Sequence, residues 1–261
     1  MNARKTTIPI PLAKLVFTCA ELKRLSKQER AFLVASEIAN NDIQFFLILC
    51  LQTFKSHNED EISRQYATTR HFICVRNLSV RIYEFYNLLV GYQKALKRGN
   101  LPPNTVVDAT LTEFESALCA HRFFKMMKWL RTNVTAHYLP NDLPGLIDNF
   151  PDDHEFVDYE HTMEGNSISI LAEEIAFFGS MNSSGFTIDD VDKFMDWVND
   201  LTRRFKKFRQ TFILGLMHAN YPDKTMIAVE ANPPLELVRD VHEAALPLFF
   251  THKGRSATTD P

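Results

Sequence analysis

Residues 121–138 read HRFFKMMKWLRTNVTAHY. Phe123, Met126, Met127 and Trp129 recur at the three- and four-residue spacing of one helix face, with cations between them, so the stretch reads as a helix whose apolar side joins a core. Leu139-Pro140 follows directly, and a proline lacks the N–H that the next turn needs, so the helix must stop there. Arg131 and His137 sit six positions apart at this stop, where a side chain is accessible.

Working outward, the run starts near Asn104-Thr105 and passes through Leu111, Phe114 and Leu118. Three comparable runs surround it. The first, KQERAFLVASEIANNDIQFFLILCLQTF at 27–54, is preceded by a Ser26/Glu29 capping-box pair; its Asn40-Asn41-Asp42 cluster is expected to kink or split it, because short polar side chains compete for backbone hydrogen bonds. The second extends from about 59 to Arg98 and is stopped by Gly99-Asn100 and Pro102-Pro103. The last, from Ile188, is opened by Thr187 and Asp190 and runs to about 219. Four long runs with short helices at 167–181 and 235–245 predict an all-α fold, an up-and-down helical bundle of four long helices with additional short helices and few or no strands. Residues 1–25, with a helical candidate in LAKLVFTCAELKRL, read as an extension packed on the bundle of 26–220, and 221–261 as a short helix and tail. The Pro- and acid-rich segment 139–166 reads as a long loop.

Composition bounds the function. The 261 residues include 21 phenylalanines but only 8 glycines, which argues against many short strands, and no glycine-rich phosphate loop occurs. A net charge of -3 excludes a polycation that coats nucleic acid, so any such binding must be local. Cys19, Cys50, Cys74 and Cys119 are widely spaced in apolar helical contexts and read as reduced core thiols of a cytoplasmic protein. The longest uninterrupted apolar run, Phe45–Leu51, is shorter than a membrane span, and no secretory leader is legible at the N-terminus.

The chemistry centres on Arg131 and His137. An arginine holds phosphate in a planar fork of donors, and a histidine gives or takes a proton near neutral pH. Together they suffice to cleave a phosphodiester whose own 2′-hydroxyl is the nucleophile, without metal or cofactor. The words LRTNVTAHY resemble the HEPN superfamily of all-α proteins, whose pattern is Arg, four to six residues, then His, often ending His-Tyr. The resemblance implies a metal-independent endoribonuclease of a defence or toxin-antitoxin system, acting on RNA as a homodimer with the Arg-His pairs of two chains facing one another, and partnered by a cognate antitoxin. It gives Asn133 a catalytic role beside Arg131 and His137, and Tyr138 a role in binding the substrate. The family usually has a polar residue, commonly Asn, directly after the Arg; here Thr132 follows and Asn133 comes one later. Glu84, in RIYEFYNLL, matches the acidic residue that members carry in the middle of the preceding helix.

Other candidates compete. Without the resemblance, Arg131 is a solvated charge and His137 a cation favoured by the helix C-terminal dipole. Arg64 and His71 form a second Arg-x6-His match without the helix stop. Arg76, Arg81 and Glu84 are expected to form intrahelical pairs. Arg203, Arg204 and Lys207, in the block RRFKKFR, are the best nucleic-acid patch, with a solvated face as the alternative. His154, Glu155, Asp158 and His161 carry ligand chemistry at irregular spacing, and no metal site is expected. A non-catalytic helical module that binds protein or RNA is the alternative function.

Overall fold

Short polar side chains open two of the four long helices. The computed structural model describes residues 9–53, 60–99, 105–135, 144–159, 168–231 and 233. Ser26 and Glu29 cap each other's backbone N–H at the start of α2, Lys27–Thr53. Asp60 accepts from the Ser63 N–H and hydroxyl at the start of α3, Glu61–Lys97, a helix about 55 Å long. Gly99 ends it at φ 71°, a left-handed conformation that side chains disfavour. The other two long helices are α4, Thr105–Cys119, and α9, Val191–Asn220. Between them lie α5, Phe124–Trp129, a π-helical turn over Leu130–Thr135, α6, Pro144–Ile147, α7, Ile170–Glu173, a second π turn over Glu174–Gly179, and α8, Ser180–Ser183.

The fold is all-α, and its four long helices form the bundle. α2 lies along α3, α4 lies along α9, and α9 also packs on α2 and α3. Phe85 of α3 sits where they meet, edge-on to Phe114 of α4 and to Phe205 and Phe208 of α9 at 5.7, 4.5 and 5.7 Å. Such edge contacts between buried rings each add about 0.5–1.5 kcal/mol beyond area burial.

Three expectations about element boundaries are corrected. The Asn40-Asn41-Asp42 cluster does not split α2, which runs unbroken; Ile43 is fully buried beside it and Asp42 faces Arg81 of α3 at 3.5 Å. The third run is not one helix. It breaks between α4 and α5, where buried Phe123 packs on Phe186, Phe194 and Trp197, His121 stacks on Trp197, and Arg122 reaches Asp190 at 2.5 Å. Tertiary contacts there outweigh helix continuity. Third, the N-terminal helical candidate is an exposed strand, β1, Ile10–Lys14, followed by α1, Cys19–Arg24. β1 pairs antiparallel with β4, Ile227–Ala231, from Ile10 opposite Ala231 to Lys14 opposite Ile227, so the two segments flanking the bundle meet. Tyr221 donates to the Glu21 carbonyl at 2.5 Å and Lys224 pairs with the Glu21 carboxylate, which that contact holds down at about 2. A second ribbon joins β2, Asp158–Tyr159, to β3, Ile168–Ser169. The helix expected at 235–245 lies outside the described residues.

Candidate functional site

Arg131 is positioned by the core on one side and by α3 on the other. Met126, Met127 and Leu130 are fully buried, which fixes the rotation of α5. At Leu130 the backbone widens into the π turn, the local form that inserts one residue into a helical turn and is frequent at functional sites. Arg131 then faces α3, where its Nε donates to Glu84 Oε1 at 2.5 Å across 47 residues of sequence. The side chains remain 29 % and 40 % exposed, so the pair is reachable from solvent. It opens on a groove of about 510 Å³ whose walls include Ile38 and Asp42 of α2 and Arg81 and Leu88 of α3. Neighbouring Tyr83 has its phenol pushed up by burial, with Arg131 pulling the other way.

Glu84 engages one of the five N–H donors of Arg131 in a charge-assisted bond, fixing the guanidinium while leaving other donors for an anion. A phosphate entering the groove would meet Arg131 already oriented, and would compete with Glu84 for it.

Of the other predicted site residues, Asn133 lies in the π turn, and His137 and Tyr138 lie outside the described residues. The expectation of intrahelical pairs along α3 is overturned. Arg76 pairs with Glu173 of α7, Arg81 with Asp42 of α2 and Glu84 with Arg131, all between elements. The second Arg-x6-His match is separated by burial: the His71 ring is in the core, 3.2 Å from the Thr53 hydroxyl, and burial pushes its pKa down.

The basic block is largely neutralised from within. Arg204 pairs with Asp200 and Glu113, Lys207 with Glu113, and Arg209 makes a two-pronged contact with Glu37. Arg203 is exposed and has no ion pair among the described residues. Lys207 and Arg204 hold the Glu113 carboxyl below its usual range. These cations therefore clamp α9 to α4 and α2. The metal candidates also disperse: His154 lies 3.6 Å from Glu174 and packs between Phe150 and Phe156, Asp158 accepts from Ser169 and the Leu171 N–H, and His161 lies outside the described residues. No cluster of three or more His, Cys, Asp or Glu side chains placed to hold a metal ion occurs among the described residues.

Sequence reasoning missed two features. Arg76 and Glu173 form a buried ion pair at 2.5 Å between residues 97 apart, and no local signal links them. Lys125 and Lys128 are exposed about two turns and one turn before Arg131, without an ion pair among the described residues. Their spacing from Arg131 was visible in KMMKWLR.

No protein-family model, curated protein or solved structure matches the chain.

Proposed function

We propose that the chain is a metal-independent endoribonuclease of the HEPN type, belonging to a defence or toxin-antitoxin system, acting in the cytoplasm as a homodimer and held in check by a cognate antitoxin. The observation that supports this reading is the Arg131–Glu84 pair. An arginine singled out by the Arg-x4-6-His pattern and an acid singled out in the middle of the preceding helix are in contact, at the mouth of a solvent-open groove. That none of the four cysteines is in a disulfide fits a reducing compartment.

In the proposed reaction His137 takes the proton of a ribose 2′-hydroxyl, whose oxygen attacks the adjacent phosphorus. The bond from phosphorus to the 5′-oxygen breaks, and that oxygen leaves with a proton from the imidazolium of a second His137 or from water. Arg131 stabilises the charge on the phosphoryl oxygens. The 2′-hydroxyl supplies the nucleophile, so no metal or cofactor takes part. The products are a 2′,3′-cyclic phosphate and a 5′-hydroxyl.

The test is incubation of the purified protein with a structured RNA in EDTA, with end analysis of the fragments. Cleavage to cyclic phosphate ends that disappears in both Arg131→Ala and His137→Ala is the expected result. Cleavage that survives either substitution, or that needs a divalent ion, would remove the reading. The alternative, a non-catalytic interaction module, is favoured by one observation of its own, the exposed apolar side of α2; it predicts no cleavage by the wild type.

A further inference from the structure

A cavity of about 240 Å³ opens between the first half of α3 and the segment 170–178, and shares no lining residue with the Arg131 groove. One part of its wall is apolar: Phe72 and Ile170 are buried, and Phe178 stands edge-on to Phe72 at 4.9 Å. The charged part supplies one open group of each sign. Arg64 of α3 is exposed and has no ion pair among the described residues. Glu174, across the cavity on the other segment, has no hydrogen bond to its carboxylate among the described residues; His154 Nε2 stands 3.6 Å from it, beyond hydrogen-bond range. The second carboxylate in the lining, Glu173, is already held at both oxygens by Arg76. Gln65, next to Arg64, accepts from the Tyr159 hydroxyl at 3.0 Å, and its own N–H donors are unengaged among the described residues.

The backbone marks the same place. Glu174 opens the second π turn, a local form that gives up regular helical bonding and is frequent at functional sites. Within that turn Phe177 is fully buried and stacked on Phe72, while Glu174 and Phe178 line the cavity.

We propose that this cavity binds the zwitterion of a small apolar amino acid, with its ammonium group on Glu174, its carboxylate on Arg64 and the Gln65 amide, and its side chain on Phe72, Ile170 and Phe178. Charge selects the class. An anion held by Arg64 alone would meet the Glu174 carboxylate, and a simple amine held by Glu174 would meet the guanidinium, whereas a molecule that carries both charges satisfies each. Size narrows it further. The cavity is smaller than the about 300–1,000 Å³ of sites that take drug-sized ligands, so it suits one amino acid and not a peptide or a nucleotide. The site stands apart from the nuclease reading, because neither the Arg131–Glu84 pair nor RNA enters it.

Isothermal titration calorimetry of the full chain with L-leucine, L-methionine and L-phenylalanine tests it, each beside its decarboxylated amine and its deaminated acid; for leucine these are 3-methylbutylamine and 4-methylpentanoate. At least one amino acid should bind with a dissociation constant below about 1 mM, and its amine and acid at least about tenfold more weakly. Arg64→Gln and Glu174→Gln should each weaken binding about tenfold or more. Thr68→Trp, at an exposed position of the lining, should fill the mouth and abolish binding, with helicity unchanged in all three variants. No saturable binding of any of the three amino acids at about 10 mM overturns the proposal. So does an amine or acid that binds within about threefold of its amino acid, the mark of a simple ion site, or binding indifferent to Arg64→Gln and Glu174→Gln. RNA is absent throughout, so a failed titration leaves the nuclease reading intact, and an amino-acid binder that cuts no RNA sinks that reading alone.

Discussion

Arg131 and Glu84 are partly exposed, and their ion pair carries little stability, in the range of about 0–1 kcal/mol for such pairs. Arg131→Ala should therefore lower stability by less than about 1 kcal/mol while removing cleavage, read by thermal unfolding beside the RNA assay. A loss of fold instead would make Arg131 a structural clamp. Glu84→Gln keeps a hydrogen-bond acceptor but removes the charge that competes with phosphate, so RNA binding should tighten while cleavage falls as Arg131 loses its fixed orientation. A second residue-scale expectation concerns acid. Arg122 and the Thr187 N–H hold the Asp190 carboxyl down at about 2, below its usual 3.8. A depressed carboxylate stabilises the fold above its unfolded pKa and ceases to do so as pH falls through the folded value, so this contribution is lost from about pH 4 to pH 2. Buried His71 acts with the same sign at higher pH: its lowered pKa stabilises the neutral form, and that contribution declines as pH falls below about 6.5. Asp190→Asn should flatten the lower arm of melting temperature against pH and His71→Gln the upper arm; parallel curves for wild type and variant would contradict the assignment. Of these residues, the sequence pointed to Arg131 and Glu84 through a resemblance, and to Asp190 through its capping position. Its pairing with Arg122, 68 residues away, had no local signature.

At the scale of elements, capping chemistry was legible and tertiary override was not. Ser26 with Glu29 opens α2 as the words SKQE suggest, and Gly185, at φ 77°, ends the helical stretch 170–183 as Asn182-Ser183-Ser184-Gly185 implies. The break before α5 was hidden, because it depends on Phe123, His121 and Arg122 finding partners in α9 and just before it. The two π turns were equally hidden, since periodicity cannot distinguish one inserted residue from drift of the helix face. They pack against each other, and the second is tied to α3 through Glu173 just before it and to α6 through its own Gly179. A Cβ at Gly179 would stand 2.9 Å from the Leu146 Cβ and 3.3 Å from the Leu146 carbonyl oxygen. Gly179→Ala should therefore displace α6, costing about 1–3 kcal/mol as overpacking does, with faster proteolysis near residues 144–150 as the local readout. The Arg76–Glu173 pair holds α7 to α3 with side chains only 10 and 11 % exposed. Glu173→Ala leaves a buried guanidinium deprived of its carboxylate and should cost about 3–5 kcal/mol, whereas Arg76→Met with Glu173→Leu should recover most of it. Equal losses in the single and double variants, measured by urea unfolding, would show that the pair does not act as a unit.

For the molecule as a whole, helical periodicity and scarce glycine were enough for the all-α class, but the distribution of free charge was not legible, because a run of cations does not disclose which carboxylates fold against it. The block from Arg203 to Arg209 looked like the place for a polyanion, yet Arg204, Lys207 and Arg209 are tied to Asp200, Glu113 and Glu37. In a chain of net charge -3, a polyanion must find cations that are not already compensated. Lys125 and Lys128, exposed on the helix leading to Arg131, meet that condition among the described residues, as do Arg203 and Lys206 on α9. Each cation that contacts a single-stranded phosphate releases counterions and steepens the fall of affinity with salt by about 0.7 in the log-log slope. Lys125→Glu with Lys128→Glu should therefore weaken RNA binding and shallow that slope by about 1.4, with the thermal midpoint nearly unchanged because both side chains are exposed. Arg204→Glu with Lys207→Glu should do the reverse: the slope stays within error of wild type, while the melting temperature falls as α9 loses its ties to α4 and Glu113 meets like charge. Binding measured by fluorescence anisotropy at several salt concentrations separates the two. A shallower slope in the Arg204/Lys207 variant alone would return the RNA path to the basic block, and a slope unchanged in both would leave the groove at Arg131 without an electrostatic approach.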